Sequence, residues 1–152
     1  MQAMILAAGF GTRLQPYSLL KPKPLFPILN RPLLVATIDR LKNAGFKKIT
    51  VNCHHLRNLI VEVIDSIPGV IIQQEPMILG TAGGLRLALD HLDDEPLLVT
   101  NGDIYHTINY ARVYEKHLQS EFDVTMVLHN YPRFNVVTKV GERVLGFDSA
   151  EQ

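Results

Sequence analysis

The chain of 152 residues holds one cysteine, Cys53. A single thiol excludes an internal disulfide framework and points to a reducing compartment. Charge of one sign is also missing, since Lys+Arg and Asp+Glu both number 15. No net field therefore draws the protein to nucleic acid or to an anionic membrane. The basic residues are scattered and no aromatic-interleaved basic run exists, so a nucleic-acid partner is not expected. No apolar run approaches membrane-spanning length. Met1-Gln2-Ala3 does not lead into a basic region, a long apolar segment and a cleavage site. These absences predict a cytoplasmic protein with no membrane partner. Repeats, low-complexity tracts and linkers are absent too, and the length suits one domain over residues 1–152.

What is present begins at Met4. Met4 to Ala8 is a short apolar run, enough for one buried strand. Gly9 and Gly11 follow, and such a pair lets the backbone bend and approach a ligand. Successive backbone N–H groups in such a bend form an anion-binding concavity. Arg13 and Lys23 add two cations to the same loop. A strand, a glycine turn and two basic residues suit a polyphosphate.

Two familiar phosphate motifs are excluded. The dinucleotide fingerprint needs a third glycine and an immediate helix, but position 14 is Leu14. Pro16, Pro22, Pro24 and Pro27 make a continuous helix after Arg13 untenable. The P-loop fails because no Gly-Lys-Ser/Thr occurs. What is left is a long, proline-stiffened loop, a feature that in compact domains is usually functional.

Beyond it, Pro32 to Gly45 carries Leu34, Ile38 and Leu41 at helical spacing. Lys48 to Cys53 alternates and reads as a strand. Asn58 to Ile67 reads as a helix, Val70 to Ile72 as a strand, and Gly80 to Leu92 as a helix. Pro96 to Thr100 is apolar throughout, which predicts a central strand. Ile108 to Leu118 reads as helix; Phe122 to Leu128, Phe134 to Val140 and Arg143 to Phe147 read as strands. Alternating strands and helices predict an α/β fold: a Rossmann-like three-layer α/β/α sandwich. Its closing strands look antiparallel, so the sheet is expected to be mixed and mostly parallel. Ligands bind beyond the C-terminal strand ends of such a sheet, where Gly9, His54, Glu75 and Asp103 would emerge.

Gly9-Phe10-Gly11-Thr12-Arg13, a spacer and Pro22-Lys23-Pro24 resemble the signature of the sugar-1-phosphate nucleotidylyltransferases. The resemblance spans essentially the whole chain and implies the nucleotide-diphospho-sugar transferase fold. It implies that Leu6, Ala8, Gly9, Gly11, Thr12, Arg13 and Lys23 surround the nucleotide. It places Mg2+ on Asp103 of the Gly102-Asp103 pair, since a hard cation wants one or two carboxylates plus phosphate oxygens and water. Gly-Asp is also ordinary turn chemistry, which is the bland reading of the same pair. Glu75-Pro76, followed by Gly80-Thr81-Ala82-Gly83, matches the family's base-binding segment, so Glu75 and Gly80 are expected at the base. An ionised carboxylate accepts only. It suits the ring N–H and amino donors of guanine, and also the single ring N–H of uracil or thymine; a solvated loop glutamate is the bland alternative.

The implied reaction is attack of a sugar 1-phosphate on the α-phosphorus of GTP or UTP, with Arg13, Lys23 and Asp103 as the catalytic groups. Mannose 1-phosphate with GTP is favoured. Val99 to Asp103 and Tyr131 to Phe134 look most like the bacterial mannose-1-phosphate guanylyltransferase and N-acetylmuramate-1-phosphate uridylyltransferase branch. Tyr131 to Phe134 is either the border of a sugar pocket or a plain turn. His54 and His55 point to opposite faces of a strand end, which favours a loop or cap role over a metal site. Cys53 reads as a small core residue.

Family members are longer. A sugar-binding part and a second metal-binding aspartate are expected to be missing here, as in a C-terminally truncated chain, and Asp148 does not sit in the required motif. The rival readings are a non-catalytic nucleotide-binding module and a purely structural α/β domain. Self-association as a homo-oligomer is left open.

Overall fold

The computed structural model describes residues 1–147, and Asp148 lies outside them. Two compact units divide the chain, Met1–Glu121 and Phe122–Gln152.

The first unit is built on a four-stranded sheet. Its strands are β1 (Gln2–Leu6), β4 (Lys48–Cys53), β5 (Val70–Gln74) and β6 (Leu97–Asn101), after a small antiparallel pair, β2 (Pro27–Ile28) and β3 (Arg31–Pro32). The order is β5-β4-β1-β6, and every pairing is parallel. Helices α1 (Leu33–Asn43), α2 (Arg57–Ile64), α3 (Gly80–Ala88) and α4 (Tyr110–Leu118) complete it.

Period-two alternation divides the sheet into two faces. Ala3 and Ile5 lie opposite Ile49 and Val51, and Ala3 opposite Leu98. This face is buried with Leu34, Ile38 and Leu41 of α1, Ile60 and Ile64 of α2, and Tyr110 and Tyr114 of α4. Met4, Thr50, Asn52 and Gln73 occupy the other face, and α3 covers it. Gly84 makes that approach possible. A Cβ on it would lie 2.9 Å from both Asn52 Nδ2 and Glu75 Oε1. Helices on both faces give the expected three layers.

Local chemistry sets the boundaries. Pro32 precedes α1, where a missing N–H costs nothing, and Gly45 ends the turn after it at φ 93. Asn109 caps α4 by accepting from the Arg112 amide at 3.0 Å. The β1 strand begins and ends two residues earlier than expected, because Ala7 and Ala8 leave the ladder for the loop. Residues 89–91 tighten into a 3₁₀ turn rather than extending α3.

Two expectations are corrected. Pro96 to Thr100 does not form a central strand: β6 pairs only with β1 and is an edge among the described residues. Its apolar side chains are unevenly buried, with Leu98 in the core and Val99 exposed. The four-stranded sheet is also not mixed. The antiparallel pairing expected of the closing strands exists, but in a ladder of its own.

That ladder belongs to the second unit. β7 (Val137–Val140) and β8 (Arg143–Phe147) form a hairpin with an irregularity between Thr138 and Lys139, turned at Gly141 with φ 57. Residues 122–128, expected as a strand, have no regular structure. Val124, Met126, Val127 and Leu128 are exposed, so extending this run would bury no apolar face. Residues 132–134 form a 3₁₀ turn. The Tyr131 amide donates to Asn135 Oδ1 at 2.9 Å beside it.

Candidate active site

The β1 chain reaches Leu6, turns through Ala7 and Ala8, and enters the glycine loop. Gly11 takes φ 64, and a Cβ on it would sit 3.3 Å from both Lys23 Cβ and Ser18 Cβ. Glycine is required there on conformation and on space together. The amides of residues 8–11 donate to no partner among the described residues, so four N–H groups line the bend. Three short 3₁₀ turns follow, Thr12–Leu14, Tyr17–Leu19 and Lys23–Leu25, broken by the prolines as expected.

The third turn delivers Lys23. Its Nζ donates to Asp103 Oδ2 at 2.6 Å. Asp103 is held from the other side: the Gly102 amide donates to Leu6 O at 2.9 Å, carrying the β1–β6 ladder one residue further. Both charged side chains are about one-third exposed, at 31% and 32%. The pair faces a cavity of about 360 Å³, within the usual size for a small-molecule site.

The cavity gathers most of the residues singled out in the sequence. Leu6, Ala8, Gly9, Gly11, Arg13, Lys23, Gly80 and Asp103 all line it. Arg13 makes no ion pair among the described residues, so its guanidinium is available to a ligand. Thr12 lies in the loop without lining the cavity. Thr81 of the expected base-binding segment lines it as well, and Asn52, Ile78 and Asn101 line it without having been singled out as site residues.

Glu75 does not join them. It is 0% exposed, and both carboxylate oxygens are engaged. Oε1 accepts from Asn52 Nδ2 at 2.8 Å and more weakly from Gln73 Nε2 at 3.5 Å; Oε2 accepts from the Leu79 amide at 3.3 Å. It is not among the residues that line the cavity. A buried carboxylate must be satisfied by donors, and the strand ends supply them.

The two histidines join the loops around the site. His54 Nδ1 donates to the Glu75 carbonyl at 2.9 Å, and His55 Nε2 to the Ser18 carbonyl at 2.7 Å. Phe10 meets both rings edge-on, with centroids at 5.9 and 5.6 Å. This is the structural role expected of the pair. Among the described residues no group of three or more His, Cys, Asp or Glu could hold a metal without help from a ligand.

A second polar cluster secures the segment after Asp103. His106 Nε2 and Tyr110 Oη lie 3.1 Å apart, and His106 Nδ1 accepts from the Ile108 amide at 3.3 Å. Arg40 donates to Ile108 O at 2.7 Å and lies over the Tyr110 ring. Burial, then the nearby Arg40 charge, holds His106 below the usual histidine range. Burial also pushes the Cys53 thiol up to about 11, with Arg57 opposing and Glu75 adding to the effect. Cys53 is an inert core residue, as its strand position suggests.

Residues 2–137 match the model of the nucleotidyl transferase family. The chain is 39% identical over 120 residues to an N-acetylmuramate alpha-1-phosphate uridylyltransferase of Neisseria meningitidis, covering 76% of this chain and 52% of that protein. It is 34% identical over 151 residues to a probable mannose-1-phosphate guanylyltransferase of Oryza sativa, covering 93% of this chain and 39% of the other. Among solved structures, HddC from Yersinia pseudotuberculosis complexed with GMP-PN aligns with a TM-score of 0.67 and 30% identity, over 80% of this chain and 54% of that one. A thymidylyltransferase-like structure from Bacillus anthracis shares the fold at a TM-score of 0.73 and 21% identity, over 80% of this chain and 51% of that one. The chain thus spans about half or less of the length of the curated relatives it matches. No helix among the described residues is long and apolar enough to cross a membrane.

Proposed function

The chain belongs to the nucleotidyl transferase family, and from that premise we propose that it is the nucleotide-binding part of a sugar-1-phosphate nucleotidylyltransferase. The reaction is attack by a sugar 1-phosphate oxygen on the α-phosphorus of a nucleoside triphosphate. Pyrophosphate leaves and a nucleoside-diphosphate sugar forms. One observation carries the reading: Lys23 and Asp103, 80 positions apart, meet at 2.6 Å beside the free amides of the glycine loop.

The nucleophile is already an anion, so no general base is required. The difficulty is bringing two anions together, which positioning and charge neutralisation address. The amides of residues 8–11 cradle the triphosphate. Arg13 holds it with paired hydrogen bonds, and Lys23 places a point charge near the reacting phosphorus. Asp103 fits a hard cation. A single carboxylate suffices where phosphate oxygens and water fill the other positions, and Asp103 already holds a positive charge, the Lys23 ammonium. A divalent cation, Mg2+ by preference, would neutralise charge on the α-phosphate.

GTP with mannose 1-phosphate is the favoured pair, and UTP is next. Support comes from the guanylyl- and uridylyltransferase names of the relatives and from the GMP-PN complex of HddC. The cytoplasm is the compartment proposed with this reading. The test is magnesium-dependent pyrophosphate release by this chain from each nucleoside triphosphate, over a panel of sugar 1-phosphates. Turnover with one pair is the expected result. The chain's span of only part of its relatives favours one second reading, a module that binds nucleotide without turnover. Calorimetric binding of GTP with no pyrophosphate release would select that module. Absence of binding would sink both.

A further inference from the structure

Behind the cavity runs a chain of buried hydrogen bonds that the proposed chemistry does not use. The Ala7 amide donates to Asn52 Oδ1 at 2.7 Å. Asn52 Nδ2 donates to Glu75 Oε1 at 2.8 Å, and Glu75 Oε2 accepts from the Leu79 amide at 3.3 Å. Ala7 is where β1 exits into the glycine loop. Leu79 adjoins Ile78, Gly80 and Thr81, which form the opposite wall. Asn52 is 3% exposed and Glu75 0%.

The order of donors and acceptors in this chain is forced. Both ends are backbone N–H groups, which only donate. Asn52 brings one donor and one acceptor. The fourth member must therefore accept on both sides, which a carboxylate does and an amide cannot. A solvent-filled wall would need no such residue. Gly84 guards the same spot, since a Cβ there would crowd Asn52 Nδ2 and Glu75 Oε1 alike at 2.9 Å.

We infer that Glu75 is a positioning residue: through Asn52 and Leu79 its carboxylate holds the β1 exit and the 78–81 wall of the cavity in register. The inference rests on the proposed reading only in taking nucleoside triphosphate as the cavity's ligand. Its consequence is a reciprocal pair of substitutions. In Glu75→Gln one donor faces another however the two amides turn. In Asn52→Asp two carboxylates face each other. The double variant Asn52→Asp/Glu75→Gln restores every bond from Ala7 to Leu79, at the loss only of the weak 3.5 Å contact from Gln73 Nε2. The carboxylate introduced at position 52 accepts from the Ala7 amide and from the side-chain amide introduced at position 75, whose oxygen accepts from Leu79.

The experiment measures amide hydrogen exchange at Ala7 and Leu79, and calorimetric affinity for GTP and UTP, in the four proteins. A buried donor left unpaired typically costs enough to change an equilibrium about tenfold or more. Each single variant is expected to speed exchange at Ala7 or Leu79 and to weaken both nucleotides about tenfold. The double variant is expected to return both readouts to within about threefold of the parent. Unchanged exchange in Glu75→Gln, or a double variant no better than the singles, overturns the inference. So does a change in GTP-over-UTP preference in Glu75→Gln that the double variant keeps, which would make Glu75 a direct reader of the base. A parent chain that binds no nucleotide defeats the proposed function instead, and the exchange rates still decide the coupling.

Discussion

At the scale of single residues, Lys23 and Asp103 neutralise each other beside the cavity that both line. Such a partly exposed pair contributes at most about 1 kcal/mol to stability. Lys23→Ala and Asp103→Ala should therefore leave the melting temperature nearly unchanged. Turnover should fall about 10²–10³-fold in each, the usual loss for one electrostatic group at a reacting centre. Near-parental pyrophosphate release from either variant would remove both residues from the mechanism. Cys53, with its thiol pushed up to about 11 and fully buried, should resist iodoacetamide at neutral pH in the folded protein. Prompt alkylation without unfolding would contradict that placement. The sequence showed the glycine loop, Lys23 and Asp103 because glycine, proline and charge leave local marks. It hid the depth of Glu75, since a glutamate in a loop segment reads the same exposed or buried. Asn52 did leave a mark. It alternates with Thr50 on one face of β4, and two polar positions on a buried strand ask for polar partners.

At the scale of elements, the segment between β6 and α4 is secured by His106 in its neutral form. Its lowered pKa means that the unfolded chain binds the proton more readily than the native one. Stability should rise with pH from the depressed value towards about 6.5, and be level above it. His106→Gln should flatten that slope in denaturant titrations run from pH 5 to 8; a slope unchanged by the substitution would assign it to other groups. The β2–β3 turn offers a gain. Leu29 and Asn30 both adopt positive φ, at 49 and 63, and Leu29 is 89% exposed. A left-handed leucine costs about 1 kcal/mol, which asparagine largely avoids. Leu29→Asn should raise the melting temperature, and a lower one would mean that Leu29 has a contact worth more than its strain. Strand β4 was legible residue for residue because its alternation is strict and β-branched. Residues 122–128 were not, because strand propensity needs a neighbour to pair with and composition does not say whether one is there.

At the scale of the whole molecule, every member of the main buried cluster lies between Ala3 and Tyr114. A chain ending at Glu121 should therefore unfold cooperatively and keep the affinity of the longer chain for nucleotide. Loss of a cooperative melt would show that the second unit shares in that core. The layered α/β plan was readable from the alternation of periods, but the strand order was not, because order depends on contacts between distant segments. That order, β5-β4-β1-β6, has a consequence in time. Gln2 lies opposite Lys48 on one side and Leu97 on the other. At about 5–20 residues per second, a ribosome delivers the second flank only seconds after the first. Until then the strand that carries the glycine loop is paired on one side alone. Among the described strands, the one that leads into the glycine loop is made first and secured last, so a nascent chain stalled before Leu97 holds an exposed β1 edge for chaperones, or for another nascent copy, to find.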